Sequence, residues 1–154
     1  MPSIRLAAAV LLACLSAFAQ AQSAAQQVTY RAQCSAATCH VKIIFVNGKP
    51  TVDIEELQVV KGNRNASIVW HLPSGFVFDA AQGDGVMLKA ANDGQFDNQY
   101  ATDDDNGGAS AARRGRNFHW RSLNTKKGSY GYNVRFRDGS GNLYLFDPII
   151  MNDG

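Results

Sequence analysis

After residue 21 no stretch sustains apolar residues at a helical spacing, so a helical bundle or a helix-covered sheet is not the organising plan. Excess charge of one sign is also missing: 15 Lys and Arg stand against 13 Asp and Glu. That balance gives no global drive toward nucleic acid or a membrane surface. Cysteine and histidine number three each, and no pair of histidines has the close spacing that makes a zinc site legible. There is no G-x-S-x-G elbow, no H-E-x-x-H and no phosphate-cradling glycine loop. Glu55 and Glu56 are adjacent in an extended segment, so they point to opposite faces and cannot converge on one bond. No catalytic constellation is visible.

The one long apolar run, Leu6 to Ala19, is too short to span a bilayer. It follows Arg5 and ends in small residues at Ala17, Ala19 and Ala21, the layout of a secretory signal peptide over residues 1–21. Leu11-Leu12-Ala13-Cys14 resembles a lipoprotein box, but the apolar run continues past the cysteine, so cleavage after Ala19 or Ala21 is favoured. Loss of this segment removes one arginine and lowers the formal charge from +2 to +1. Residues 22–154 then form one domain, exported to the periplasm or secreted, where the two remaining cysteines are expected to pair.

From Val41 onward the apolar period is two. Val41, Ile43 and Phe45 share a face before the Asn47-Gly48 turn, and Val52 and Ile54 open the next alternation. Ile68, Trp70 and Leu72 share another face, as do Phe118 with Trp120, and Tyr130, Tyr132, Val134 and Phe136. About seven short strands joined by Gly, Asn and Asp turns predict an all-β fold, a sandwich or barrel. Residues 79–117 read mostly as an irregular insert with a short strand at VMLK, mobile near 97–117.

VVKGNRNASIVWHL and KKGSYGYNVRF resemble segments of the plastocyanin and azurin type of cupredoxin, over about a quarter of the mature chain. The resemblance implies the fold, a single secreted Greek-key β-sandwich of cupredoxin-like or immunoglobulin-like type. It does not carry over the copper, because the position of the family's cysteine ligand is near Val134 and no histidine follows it.

Cys34-Ser-Ala-Ala-Thr-Cys39-His40 offers three readings: haem attachment, a metal site, or a disulfide at the mouth of a strand. Alternation places Cys39 inward with Val41 and His40 outward with Lys42, which favours a Cys34–Cys39 disulfide over a c-type haem at Cys34, Cys39 and His40. His71 and His119 also point away from the aromatic faces, as solvated or edge residues. The alternative is an outer-face copper site of His71, His119 and Met87.

Charge is segregated: Asp93, Asp97, Asp103, Asp104 and Asp105 lack interleaved bases, and Arg113, Arg114, Arg116, Arg121, Lys126 and Lys127 lack acids. Two neighbouring loops that screen one another are the plainer reading. The functional one is an anion-holding surface on 97–127 of Arg113, Arg114, Arg116 and Arg121, with Trp120 as an aromatic platform if exposed. The leading expectation is an exported, non-catalytic binding or inhibitor module without a cofactor, its partner a protein or anionic ligand in the envelope or outside the cell. A metal or redox protein, holding copper or haem, is the alternative; an envelope subunit lending an edge strand is a third reading.

Overall fold

The computed structural model describes residues 27–91, 93–103 and 114–154. The signal segment with Cys14, and residues 104–113 of the expected mobile loop with Asp104, Asp105 and Arg113, lie outside the described residues. The described chain is all β, with one 3-10 turn at Ala80–Gln82 and no α-helix.

The strands are β1 (Thr29–Cys34), β2 (Thr38–Val46), β3 (Lys49–Val52), β4 (Ile54–Val59), β5 (Ala66–His71), β6 (Phe76–Asp79), β7 (Gly85–Leu88), β8 (Phe96–Thr102), β9 (Arg114–Gly115), β10 (Asn117–Ser122), β11 (Gly128–Asp138), β12 (Leu143–Phe146) and β13 (Ile149–Asn152). They sort into two mixed sheets. The larger runs β1-β4-β13-β11-β6-β9, with β7 and β12 also on β11; the smaller runs β3-β2-β5-β10-β8. Three pairings are parallel: β1 with β4, β4 with β13, and β2 with β5.

Val52 and Ile54 do not share one strand, as the alternation suggested. The chain changes sheets at Asp53, leaving β3 in the smaller sheet and entering β4 in the larger. Asp53 makes this corner by backbone and side chain together: its N–H donates to the Lys42 carbonyl at 2.8 Å, and its Oδ1 accepts from the Lys42 N–H at 2.7 Å. The excursion through β4 lets β5 return beside β2 in parallel, since parallel neighbours need a crossover rather than a tight turn. The Asn47-Gly48 hairpin forms as expected, with positive φ at both residues as a two-residue turn requires.

A single apolar core lies between the sheets. The smaller sheet contributes Val41, Ile43, Ile68, Trp70, Phe118 and Trp120; the larger contributes Leu57, Val59, Phe78, Val86, Tyr132, Val134, Phe136 and Ile150. Trp70 meets Trp120 and Tyr132 edge-on at 5.1 and 5.4 Å between centroids, a geometry that sets ring edges against the negative faces of their neighbours. The Trp70 indole N–H donates to the Tyr132 hydroxyl at 3.1 Å, a polar link from one sheet to the other inside the core. Burial pushes the Tyr132 hydroxyl well above its ordinary pKa, so it stays protonated.

Cys34 ends β1 in the larger sheet and Cys39 lies in β2 of the smaller, and the two are joined in a disulfide. The Asn63 amide donates to the Cys34 and Ala36 carbonyls at 2.9 and 3.0 Å, holding the bridged loop against the β4–β5 connection. With both sulfurs bonded to each other, no thiol remains to attach haem. His40, the third member of that motif, is exposed on the opposite face of β2 from buried Cys39.

Asp84 is fully buried in its side chain and receives Arg135 Nε at 3.1 Å and Arg137 Nε at 3.0 Å. This clamp ties the segment before β7 to β11.

Replacing Cys34 and Cys39 together by serine should lower unfolding free energy by about 2 kcal/mol in denaturant titration, the chain-entropy value for so short a loop. Tyr132→Phe strands the Trp70 N–H in the core and should cost about 1–3 kcal/mol in the same assay.

Candidate functional site

The alternation that sends Val41, Trp70 and Phe118 into the core turns His40, Lys42, His71, Asn117 and His119 to the outer face of the smaller sheet. Register then lines them up across four strands. His40, Val69, His119 and Tyr100 form one row, and Lys42, His71, Asn117 and Thr102 form the next.

Within this face His40 and His71 meet diagonally. His40 Nδ1 lies 2.8 Å from His71 Nε2, and His71 Nδ1 lies 2.9 Å from Asn117 Oδ1. An amide oxygen only accepts, so His71 carries its proton on Nδ1 and turns the Nε2 lone pair toward His40, whose Nδ1–H donates to it. Asn117 thereby fixes both the tautomer and the ring orientation of His71.

A cleft of about 400 Å³ opens beside this pair. Its polar lining is Lys42, His71, Arg116 and Asn117; its apolar lining is Ile43, Ile44, Leu72 and Pro73. Among the described residues no carboxylate lines it. Lys42 and Arg116 are exposed, and neither side chain has an ion-pair partner among the described residues. Asp53 and Asp103 stand nearby, but their Oδ1 atoms accept from the backbone N–H groups of Lys42 and Arg116, at 2.7 and 3.0 Å. The Arg116 backbone is further held by its carbonyl, which accepts from the Leu72 N–H at 2.8 Å. Gly115 lets this segment approach β8, because a Cβ there would fall 2.3 Å from the Thr102 carbonyl oxygen. The cleft is therefore a fixed, locally basic pocket with an apolar wall.

Of the arginines expected to hold an anion, Arg116 is at the cleft and Arg114 is exposed on β9, while Arg113 is outside the described residues. Arg121 is not available as proposed: it forks onto Asp97, with Nε 2.6 Å from Oδ1 and Nη2 on Oδ2. Trp120 is 1 % exposed, so it fills the core and the condition for an aromatic platform fails. The set His71, His119 and Met87 does not converge. Met87 sits on β7 opposite Asn133 of the larger sheet with its side chain outward. His119 is not a solvated edge residue either; it is 2 % exposed and stacks on Tyr100 at 4.8 Å. Among the described residues no group of three or more His, Cys, Asp or Glu side chains is placed to hold a metal ion. No helix among them is long and apolar enough to cross a membrane. Lys42 and Asn117 were missed by sequence reasoning as site residues, although the outward pairing of His40 with Lys42 was readable from the alternation.

The separated acids and bases meet across strands. Besides Asp97 with Arg121, Asp93 pairs with Lys126 at 2.9 Å, which is the screening expected of neighbouring loops. The hydrogen bond from Arg121 holds the Asp97 carboxyl below its ordinary value, and that from Lys126 does so for Asp93. A carboxyl depressed in the folded state contributes stability above its unfolded pKa, and that contribution is lost as pH falls through the folded value. Asp97→Asn should therefore flatten the fall in melting temperature below about pH 4. At neutral pH it should cost less than about 1 kcal/mol, since the pair is partly solvated; melting curves across pH read both effects.

Comparison of the chain with protein-family profiles and with curated proteins finds no match, so the cleft's own chemistry has to carry the functional reading.

Proposed function

We propose that this chain is a small exported binding module, non-catalytic, that takes an anionic group of its partner into the cleft between β2, β5 and β10. The observation that carries the reading is the pairing of Lys42 and Arg116 on one cleft that no carboxylate lines among the described residues. Charge-assisted hydrogen bonds to phosphate, sulfate or carboxylate oxygens are among the strong ones, and a guanidinium fork suits them geometrically. Asn117 and His71 add a polar floor, while Ile44, Leu72 and Pro73 suit an apolar portion next to the charge.

Export is supported by the signal-like first 21 residues together with the Cys34–Cys39 disulfide, which persists in oxidising compartments. Two sheets around one core support the sandwich part of the fold reading. The arginine-rich loop contributes less than the sequence suggested, because Arg121 is committed to Asp97 and the basic character concentrates at Arg116 and Lys42.

Titration of inorganic phosphate, followed by backbone amide chemical shifts, should move Lys42, His71, Arg116 and Asn117 before other positions. Changing Lys42 and Arg116 together to serine should weaken binding by about tenfold or more, as expected for loss of two charge-assisted contacts. Shifts confined to other regions, or equal affinity in the double variant, would overturn the assignment.

A further inference from the structure

We infer that the cleft receives the C-terminal end of an extended peptide, with the terminal carboxylate on Lys42 and Arg116 and the peptide backbone paired to the open edge of β2. The site is the one read as anion-binding and the inference rests on that reading; the addition is the occupant, a polypeptide terminus with an apolar last side chain.

The edge is open because β5 stops before β2 does. Their parallel ladder ends at Lys42 opposite His71, while β2 runs on to Val46 with β3 as its neighbour on the other side. Lys42 turns both of its backbone groups to that other side: its carbonyl accepts from the Asp53 N–H at 2.8 Å and its N–H donates to Asp53 Oδ1 at 2.7 Å. Backbone groups of successive strand residues point to opposite edges, so Ile43 and Phe45 turn theirs to the side that β5 has left. Pro50, opposite Phe45 on β3, has no N–H to offer, in keeping with that facing.

Pro73 cannot extend the β5 ladder for the same reason, and the chain departs toward the larger sheet. There the Gly75 carbonyl accepts from the Gly139 N–H at 3.0 Å, and Phe76 stacks on Phe45 at 4.9 Å. Among the described residues no backbone hydrogen bond reaches Phe45 from the vacated side.

Such an edge gives nothing to inorganic phosphate or sulfate. It matches a ligand that carries N–H and C=O groups at strand spacing, as in recognition by strand addition. A peptide laid antiparallel to β2 runs from Val46 toward Lys42, so it ends at the two cations of the cleft. Ile44, Leu72 and Pro73 form the wall against which its last side chain packs. At about 400 Å³ the cleft lies at the small end of ligand pockets, which suits a chain terminus rather than a length of chain.

The probe is a synthetic pentapeptide, acetylated at its N-terminus and ending in leucine with a free carboxylate, titrated by calorimetry and by backbone amide chemical shifts. It should shift Ile43, Ile44 and Phe45 together with Lys42 and Arg116, and bind about tenfold or more tighter than inorganic phosphate. The same peptide ending in a carboxamide should bind about tenfold or more weakly than the free acid. Methylating the last and the penultimate amide nitrogen in turn should weaken binding at one of the two only, because alternate N–H groups face β2. Phosphate that shifts the cleft residues, with a peptide that binds no tighter or that binds equally as acid and amide, would overturn the peptide assignment and leave the anion site standing. No shift at the cleft with either probe would overturn both. A sulfated oligosaccharide that displaces the peptide at lower concentration would assign the cleft to a glycan instead.

Discussion

The hydrogen bond from the Trp70 indole to the Tyr132 hydroxyl sets the facing of the smaller sheet, and the rest of the molecule follows from it. Both groups are fully buried, and each would be costly there alone. Because side chains alternate along a strand, Trp70 pointing to Tyr132 means His71 points away. A slip of one residue in β5 would move His71 into the core and Trp70 onto the surface, so register is strongly specified. β5 in turn aligns β2 and β10 through its two ladders, and with them His40, Lys42 and Asn117. The outer-face row is thus a consequence of core packing, transmitted through strand pairing.

The all-β character and the inward set of aromatics were legible because each depends on period two, a local property of the sequence. The hairpin at Asn47-Gly48 and the disulfide were legible for the same reason: each is decided within a few residues. What was not legible depended on non-local pairing. Asp53 looks like an interruption in an alternation, yet it is the corner at which the chain changes sheets, and only its bonds to Lys42 reveal that. Strand β8 escaped notice because FDNQYAT has polar residues at its centre; its strand character comes from pairing with β10.

The site divides along the same line. That His40, His71 and His119 face outward follows from alternation, but which of them meet follows from strand order. The parallel β2–β5 ladder sets Lys42 directly opposite His71 and brings His40 to its diagonal. His119, one strand further, stacks on Tyr100 instead. Likewise Arg116 and Arg121 belong to one basic run in the sequence, and their different roles come from their cross-strand neighbours. Arg121 finds Asp97 on β8, whereas the Asp103 carboxylate is engaged by the Arg116 backbone and leaves the guanidinium to the cleft.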